Sequence, residues 1–196
     1  VFGLGNVLMG DDALGPTVLA GLMAGFDFPP EVHVEDLGTP GLDLHPHFAG
    51  RAHIILVDVV KSKGQPGEIR LYRRDQILKH APEVRTSPHD PGVKEALLSL
   101  EFSGEEPGVF LVGVIPHKVE HATGLGDAVR AAIPAAEAAV LEELERLGHP
   151  AVARDPRPAP HPARHAVPDL RRPQPGRAVR LDPVQHVRAG PGSVDA

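Results

Sequence analysis

Asp11 and Asp12 are adjacent carboxylates set between an apolar start and an apolar-periodic segment, and they are the first residues in this chain with chemistry to offer. Phe2-Gly3-Leu4-Gly5-Asn6 leads into them, and Leu14, Val18, Leu19 and Leu22 follow at the spacing of a helix. The pair therefore sits where a first strand hands over to a first helix. In α/β proteins that is the mouth of the functional crevice, outside the carboxyl ends of the parallel strands.

Asp58 is the second such residue. It ends His53-Ile54-Ile55-Leu56-Val57, a short β-branched run of the kind that forms a strand buried on both faces. A carboxylate is costly inside a sheet unless it is paired or binds a ligand. His89 is the third, in the loop Thr86-Ser87-Pro88-His89-Asp90-Pro91-Gly92, just before Val93, Ala96, Leu97 and Leu100 at helical spacing. If the strands lie parallel and adjacent, Asp12, Asp58 and His89 point into one crevice. Two carboxylates and one imidazole suit borderline divalent ions such as nickel, zinc or manganese, and three ligands leave positions open for water or a substrate group.

Other readings of these residues stand beside that one. Asp11 or Asp12 is a good helix cap, Asp58 a cap for the following loop, and His89 one surface histidine among 12. Gly3 and Gly5 invite a dinucleotide reading, but the position that needs a third glycine is Leu8. A phosphate there would also lie beside two negative charges, so a cation fits better than an anion. His117, Glu120 and His121, in the loop Pro116-His117-Lys118-Val119-Glu120-His121, read as solvated polar residues on one wall of the cleft. No serine stands in a nucleophile-elbow context.

The elements that must position these residues follow from the pattern. Glu31 to Leu37 alternates with period two as a half-exposed strand, and Leu42 to Phe48 reads as a short helix with Leu44 and Phe48 inward. The stretch from Lys61 to Arg73 reads as a hairpin-like excursion turning at Gly67, and Asp75 to His80 as one helical turn. Gly108 to Ile115 reads as another buried strand. Asp127 to Leu147 is an amphipathic helix in which Pro134 marks a kink or a junction.

Composition sets the bounds. At 196 residues, the chain is long enough to bury a sizeable core. It has no cysteine, which excludes disulfides, thiolate zinc sites and iron–sulfur clusters. No run is long enough to span a bilayer and no secretory signal pattern is present, so the expected setting is cytoplasmic. The chain opens on Val rather than Met, so the first strand is expected to lack upstream residues. From Pro150 onward there are eight Arg against four Asp, a local charge of +4, which leaves the preceding body at −10. An acidic body is a poor nucleic-acid surface. The proline- and arginine-rich stretch 150–196 has no sustained apolar period and is expected to be a disordered tail behind a domain of residues 1–149.

The opening Gly3-Leu4-Gly5-Asn6-Val7-Leu8-Met9-Gly10-Asp11-Asp12-Ala13-Leu14-Gly15 resembles the hydrogenase maturation proteases. So do Gly41-Leu42-Asp43-Leu44, Val57-Asp58, Ser87-Pro88-His89 and Gly124-Leu125, in that order, and the resemblance covers roughly residues 1–148. It implies an α/β three-layer sandwich, a mixed, mostly parallel sheet flanked by helices. It also implies an endopeptidase that trims the C-terminal extension of the [NiFe]-hydrogenase large-subunit precursor after nickel insertion. The family's metal positions fall on Asp12, Asp58 and His89, with Asp12 and Asp58 as the catalytic candidates. The nickel is expected to arrive in the substrate, and either that ion or a carboxylate to polarise the attacking water. The partner is then the precursor, with no nucleic acid and no membrane, and the protease is expected to act as a monomer. Pro88 and Pro91 bracket His89 more tightly than the family pattern. The competing classes are a non-enzymatic nickel-sensing or maturation-chaperone module and a nucleotide-binding domain.

Overall fold

Strands β4 (His53–Val59) and β6 (Gly108–Val114) form the centre of the fold, because their near-continuous apolar sequences bury both faces at once. They pair in parallel over seven residues, from His53 with Gly108 to Val59 with Val114. The computed structural model describes residues 1–80 and 92–155. Around that pair lie β1 (Phe2–Leu4), β3 (Glu35–Gly38) and β5 (Ile69–Arg73), in the order β3-β1-β4-β6-β5. All are parallel except β5, which runs antiparallel to β6. A separate two-stranded ribbon joins β2 (Phe26–Asp27) to β7 (Val152–Ala153).

Alternation along the central strands builds two cores. Ile55, Val57 and Val59 of β4 and Phe110, Val112 and Val114 of β6 face helices α1 (Leu14–Gly25) and α5 (Asp127–Arg146). Ile54, Leu56, Val109 and Leu111, with Phe2 and Leu4 of β1, face the other way. There they pack against α2 (Leu44–Phe48), α3 (Arg74–His80) and α4 (Val93–Phe102). The result is the expected three-layer sandwich with a mixed, mostly parallel sheet.

Four local readings differ from the outcome. The strand read over Glu31 to Leu37 is shorter and ends later, at Glu35–Gly38. The excursion after β4 does not close as an isolated hairpin: β5 returns to the edge of the sheet and pairs with β6. Pro134 lies inside a single helix of 20 residues, α5, so it marks no junction between two helices. Residues beyond 149, which composition assigns to the tail, begin with β7. Arg154 then continues into hydrogen bonds with α1, its N–H donating to the Gly25 carbonyl at 2.9 Å. The rest of the expected tail, 156–196, lies outside the described residues.

Candidate active site

The chain reaches the site through a turn that only glycine permits. Gly5 has φ of 126°, and a Cβ there would overlap the backbone carbonyl oxygen of Asp12. The chain thus leaves β1 and folds back flush against the residue that carries the carboxylate. The Gly5 N–H donates to the Gly38 carbonyl at the end of β3, 2.8 Å away. The Asn6 N–H donates to Oδ2 of Asp12 at 2.7 Å, and the Asn6 side chain accepts from the Leu8 N–H at 2.9 Å. A 3-10 turn, Gly10–Ala13, then carries both aspartates into α1.

Neither aspartate caps that helix, since the N-cap residue of α1 is Ala13, with no side-chain cap bond. Asp12 is 1 % exposed and holds the Asn6 turn. Asp11, 3 % exposed, reaches across to the loop that leaves β6. Its Oδ2 accepts from the N–H groups of His117 (2.8 Å) and Lys118 (3.1 Å), and its Oδ1 from that of Gly126 (2.7 Å), the residue preceding α5. Sequence singled out Asp12 as the ligand candidate and gave Asp11 no role beyond that of a helix cap. The partners of Asp11 lie 106 to 115 positions away, so no local signal marks them.

Asp58 is the penultimate residue of β4, on the face shared with Ile54 and Leu56. It is 7 % exposed, and its Oδ1 accepts from the Val59 N–H at 2.7 Å. Burial pushes its carboxyl well above the usual carboxylate range, the nearby charge of Asp12 pushes the same way, and the Val59 hydrogen bond opposes both. The charge of Asp12 is thus felt at Asp58. The register of β1 against β4 ends at Gly3 with Val57, so the chain leaves β1 beside the strand segment that carries Asp58.

Two buried carboxylates that repel one another are a donor set that a divalent cation relieves, so these residues fit a metal. Among the described residues, no three His, Asp or Glu side chains cluster as a complete metal site. His89, the third expected ligand, lies outside the described residues. The segment containing it, 81–91, connects α3 to α4, and both helices pack on the sheet face that Asp58 shares. The described side chains of the β6–α5 loop hold no metal set either: Lys118 and Glu120 form an exposed ion pair at 2.8 Å.

Residues 16–143 match the family described as hydrogenase maturation protease. The chain belongs to that family. It is 36 % identical over 160 residues to the hydrogenase 2 maturation protease of Escherichia coli K12, covering 79 % of this chain and 95 % of that relative. It is 32 % identical over 157 residues to the hydrogenase expression/formation protein HoxM of Azotobacter vinelandii, covering 79 % and 76 %. Among solved structures it resembles the hydrogenase maturating endopeptidase HybD from E. coli, with a TM-score of 0.71 and 34 % identity over 79 % of this chain and 96 % of that one. This protease has the three-layer sandwich that its resemblance to the family implied. Among its described residues, no helix is long and apolar enough to cross a membrane.

Proposed function

We propose that this protease removes the C-terminal extension of a [NiFe]-hydrogenase large-subunit precursor once nickel has been installed, and that it reads the nickel directly. The observation that carries this is the pair of buried carboxylates, Asp58 near the carboxyl end of β4 and Asp12 in the 3-10 turn that follows β1, with the charge of Asp12 helping to raise the Asp58 carboxyl, in a chain of this family. In this reading the nickel is part of the substrate. Asp12, Asp58 and His89 complete its coordination from the protease side.

The energetics give the selectivity. Ionising Asp58 beside Asp12 in a desolvated site is unfavourable, and docking a cation between them offsets that cost. A nickel-free precursor brings no such charge and binds more weakly. Docking through the ion also fixes the scissile peptide against the carboxylates, which converts water attack into a positioned step. Water oxygen adds to the peptide carbonyl carbon, the C–N bond breaks, and the water's protons end on the new carboxyl group and the leaving amine.

The test is incubation of the purified protease with nickel-loaded and nickel-free precursor, read by mass spectrometry. The expected result is a shortened product from the loaded form alone. Asp12→Asn and His89→Ala are expected to abolish cutting while circular dichroism stays that of the parent. Normal processing by both variants removes the site. Binding of the loaded precursor by the parent protein without any product favours the non-enzymatic chaperone reading instead. The cytoplasm is the proposed setting, where the precursor would be met.

A further inference from the structure

The buried groups outside the Asp12–Asp58 pair include one whose bonding has no part in the chemistry just described. Asp11 spends both carboxylate oxygens on three backbone N–H groups of a single distant segment, those of His117, Lys118 and Gly126. The two segments are stitched further by main chain alone. The Gly10 N–H donates to the Ala122 carbonyl at 2.9 Å, the Ala122 N–H to the Leu8 carbonyl at 3.2 Å, and Met9 and Ala122 form an isolated parallel bridge. The Asp11 N–H faces the Lys118 carbonyl at 3.4 Å.

We infer that Asp11 is a positioning residue for peptide cutting, whose carboxylate latches the β6–α5 loop to the turn that carries Asp12 and so fixes that turn in place. The chemistry favours a carboxylate here over any other side chain. Three donors converge on it, and an ionised carboxylate is the acceptor-only group that can accept them all. An amide in its place turns an N–H2 toward at least one N–H, leaving that donor opposed and buried. Position matters as much as bonding. Asp11 and Asp12 are consecutive in one short 3-10 turn, so a shift at the loop is passed to the Asp12 carboxylate with little slack. A displacement of about 1 Å in a reacting group can cost on the order of a hundredfold in rate.

This inference rests on the processing activity proposed above, and its test separates the two. Two variants disturb the latch from opposite sides. Asp11→Asn alters the acceptor. Gly126→Pro replaces one donor with a ring carbon that must displace Oδ1 of Asp11, 2.7 Å from that nitrogen, at a residue whose φ of −64° already suits proline. Each is assayed on nickel-loaded precursor, with the folded fraction measured by circular dichroism and amide exchange followed by mass spectrometry. The expected result is a fall of at least tenfold in kcat per folded molecule, KM within threefold of the parent, and faster exchange confined to the 116–126 segment. A merely structural Asp11 lowers the folded fraction and leaves kcat per folded molecule unchanged, and that result overturns the inference. If Asp11→Asn does not fold, Gly126→Pro alone decides by the same criteria. If the parent protease itself cuts nothing, the processing reading fails. The latch is then judged by exchange alone: unchanged protection of 116–126 in Asp11→Asn overturns it.

Discussion

At the scale of single residues, the site depends on two kinds of closeness. One is steric: Gly5 lies so near the Asp12 carbonyl that any side chain must push the acidic turn away from β1. Gly5→Ala is therefore expected to lower processing of nickel-loaded precursor at least tenfold, with only about 1–3 kcal/mol lost in denaturant unfolding. The other closeness is electrostatic. Asp58 carries a folded pKa raised above its ordinary 3.8, first by burial and then by Asp12. A raised carboxyl contributes stability that is complete below the unfolded value and is lost as pH rises through the folded one. Above the ordinary carboxylate range the site is thus a burden on the fold. Asp58→Asn removes that burden, so thermal unfolding should show a higher Tm than the parent at pH 7 to 8 and a smaller gain near pH 4. An equal shift at both pH values contradicts the assignment.

At the scale of elements, α1 lies almost on the sheet, which sets the position of the 3-10 turn before it that carries Asp12. Gly15 makes that approach, because a Cβ there would run into the backbone of Leu4 and, at 2.7 Å, into the carbonyl of Val57. Gly3 faces it across the same contact, where a Cβ would sit 2.9 Å from the Gly15 backbone. On the same sheet face, α5 is fastened through Glu143, which is 4 % exposed. Its two oxygens accept from Arg73 of β5 at 2.5 and 2.8 Å and from Arg146 at 2.7 and 2.8 Å, while the Arg73 guanidinium lies 4.2 Å from the Phe110 ring centroid. The Arg146 bonds chiefly, and those of Arg73 after them, hold the Glu143 carboxyl down to about 2 against the opposing effect of burial. A depressed carboxyl contributes stability above its unfolded value that is lost as pH falls through the folded one. Glu143→Gln should therefore cost about 2 kcal/mol at pH 7, a figure already discounted for the half-exposed arginines. That cost should shrink as urea unfolding is repeated from pH 4.5 down toward pH 2.

At the scale of the whole molecule, what sequence made legible was what burial writes into it. Strands β4 and β6 are apolar on both faces and so stand out as runs, and α5 repeats at helical period. Asp58 was visible because a carboxylate at the end of such a run is costly unless paired or ligating, and Asp12 because an acidic pair stands where a strand hands over to a helix, although capping was an alternative for both. The bonds of Asp11 to residues over a hundred positions away were not, and neither were β2 and β7, two residues each and too short to carry a period. That ribbon extends the ordered body past residue 149, and it does so through charge. Arg154 bonds Asp27 at 2.8 Å through Nε, donates to the Met23 carbonyl at 3.1 Å, and gives its backbone N–H to Gly25. Helix α1 has no basic residue in its own last turn, so a cation 127 positions beyond Asp27 satisfies carbonyls there and meets the negative end of its dipole. Since these groups are about half exposed, the contribution is modest, about 1 kcal/mol. Arg154→Ala is expected to lower stability by roughly that amount in 50 mM salt and by less in 1 M salt, where screening has already weakened the interaction. Cutting should be unchanged, because the clasp grips the end of α1 opposite to Asp12. A loss of activity in Arg154→Ala at full folding would mean that the seat of α1, and not its first turn alone, sets the geometry of the site.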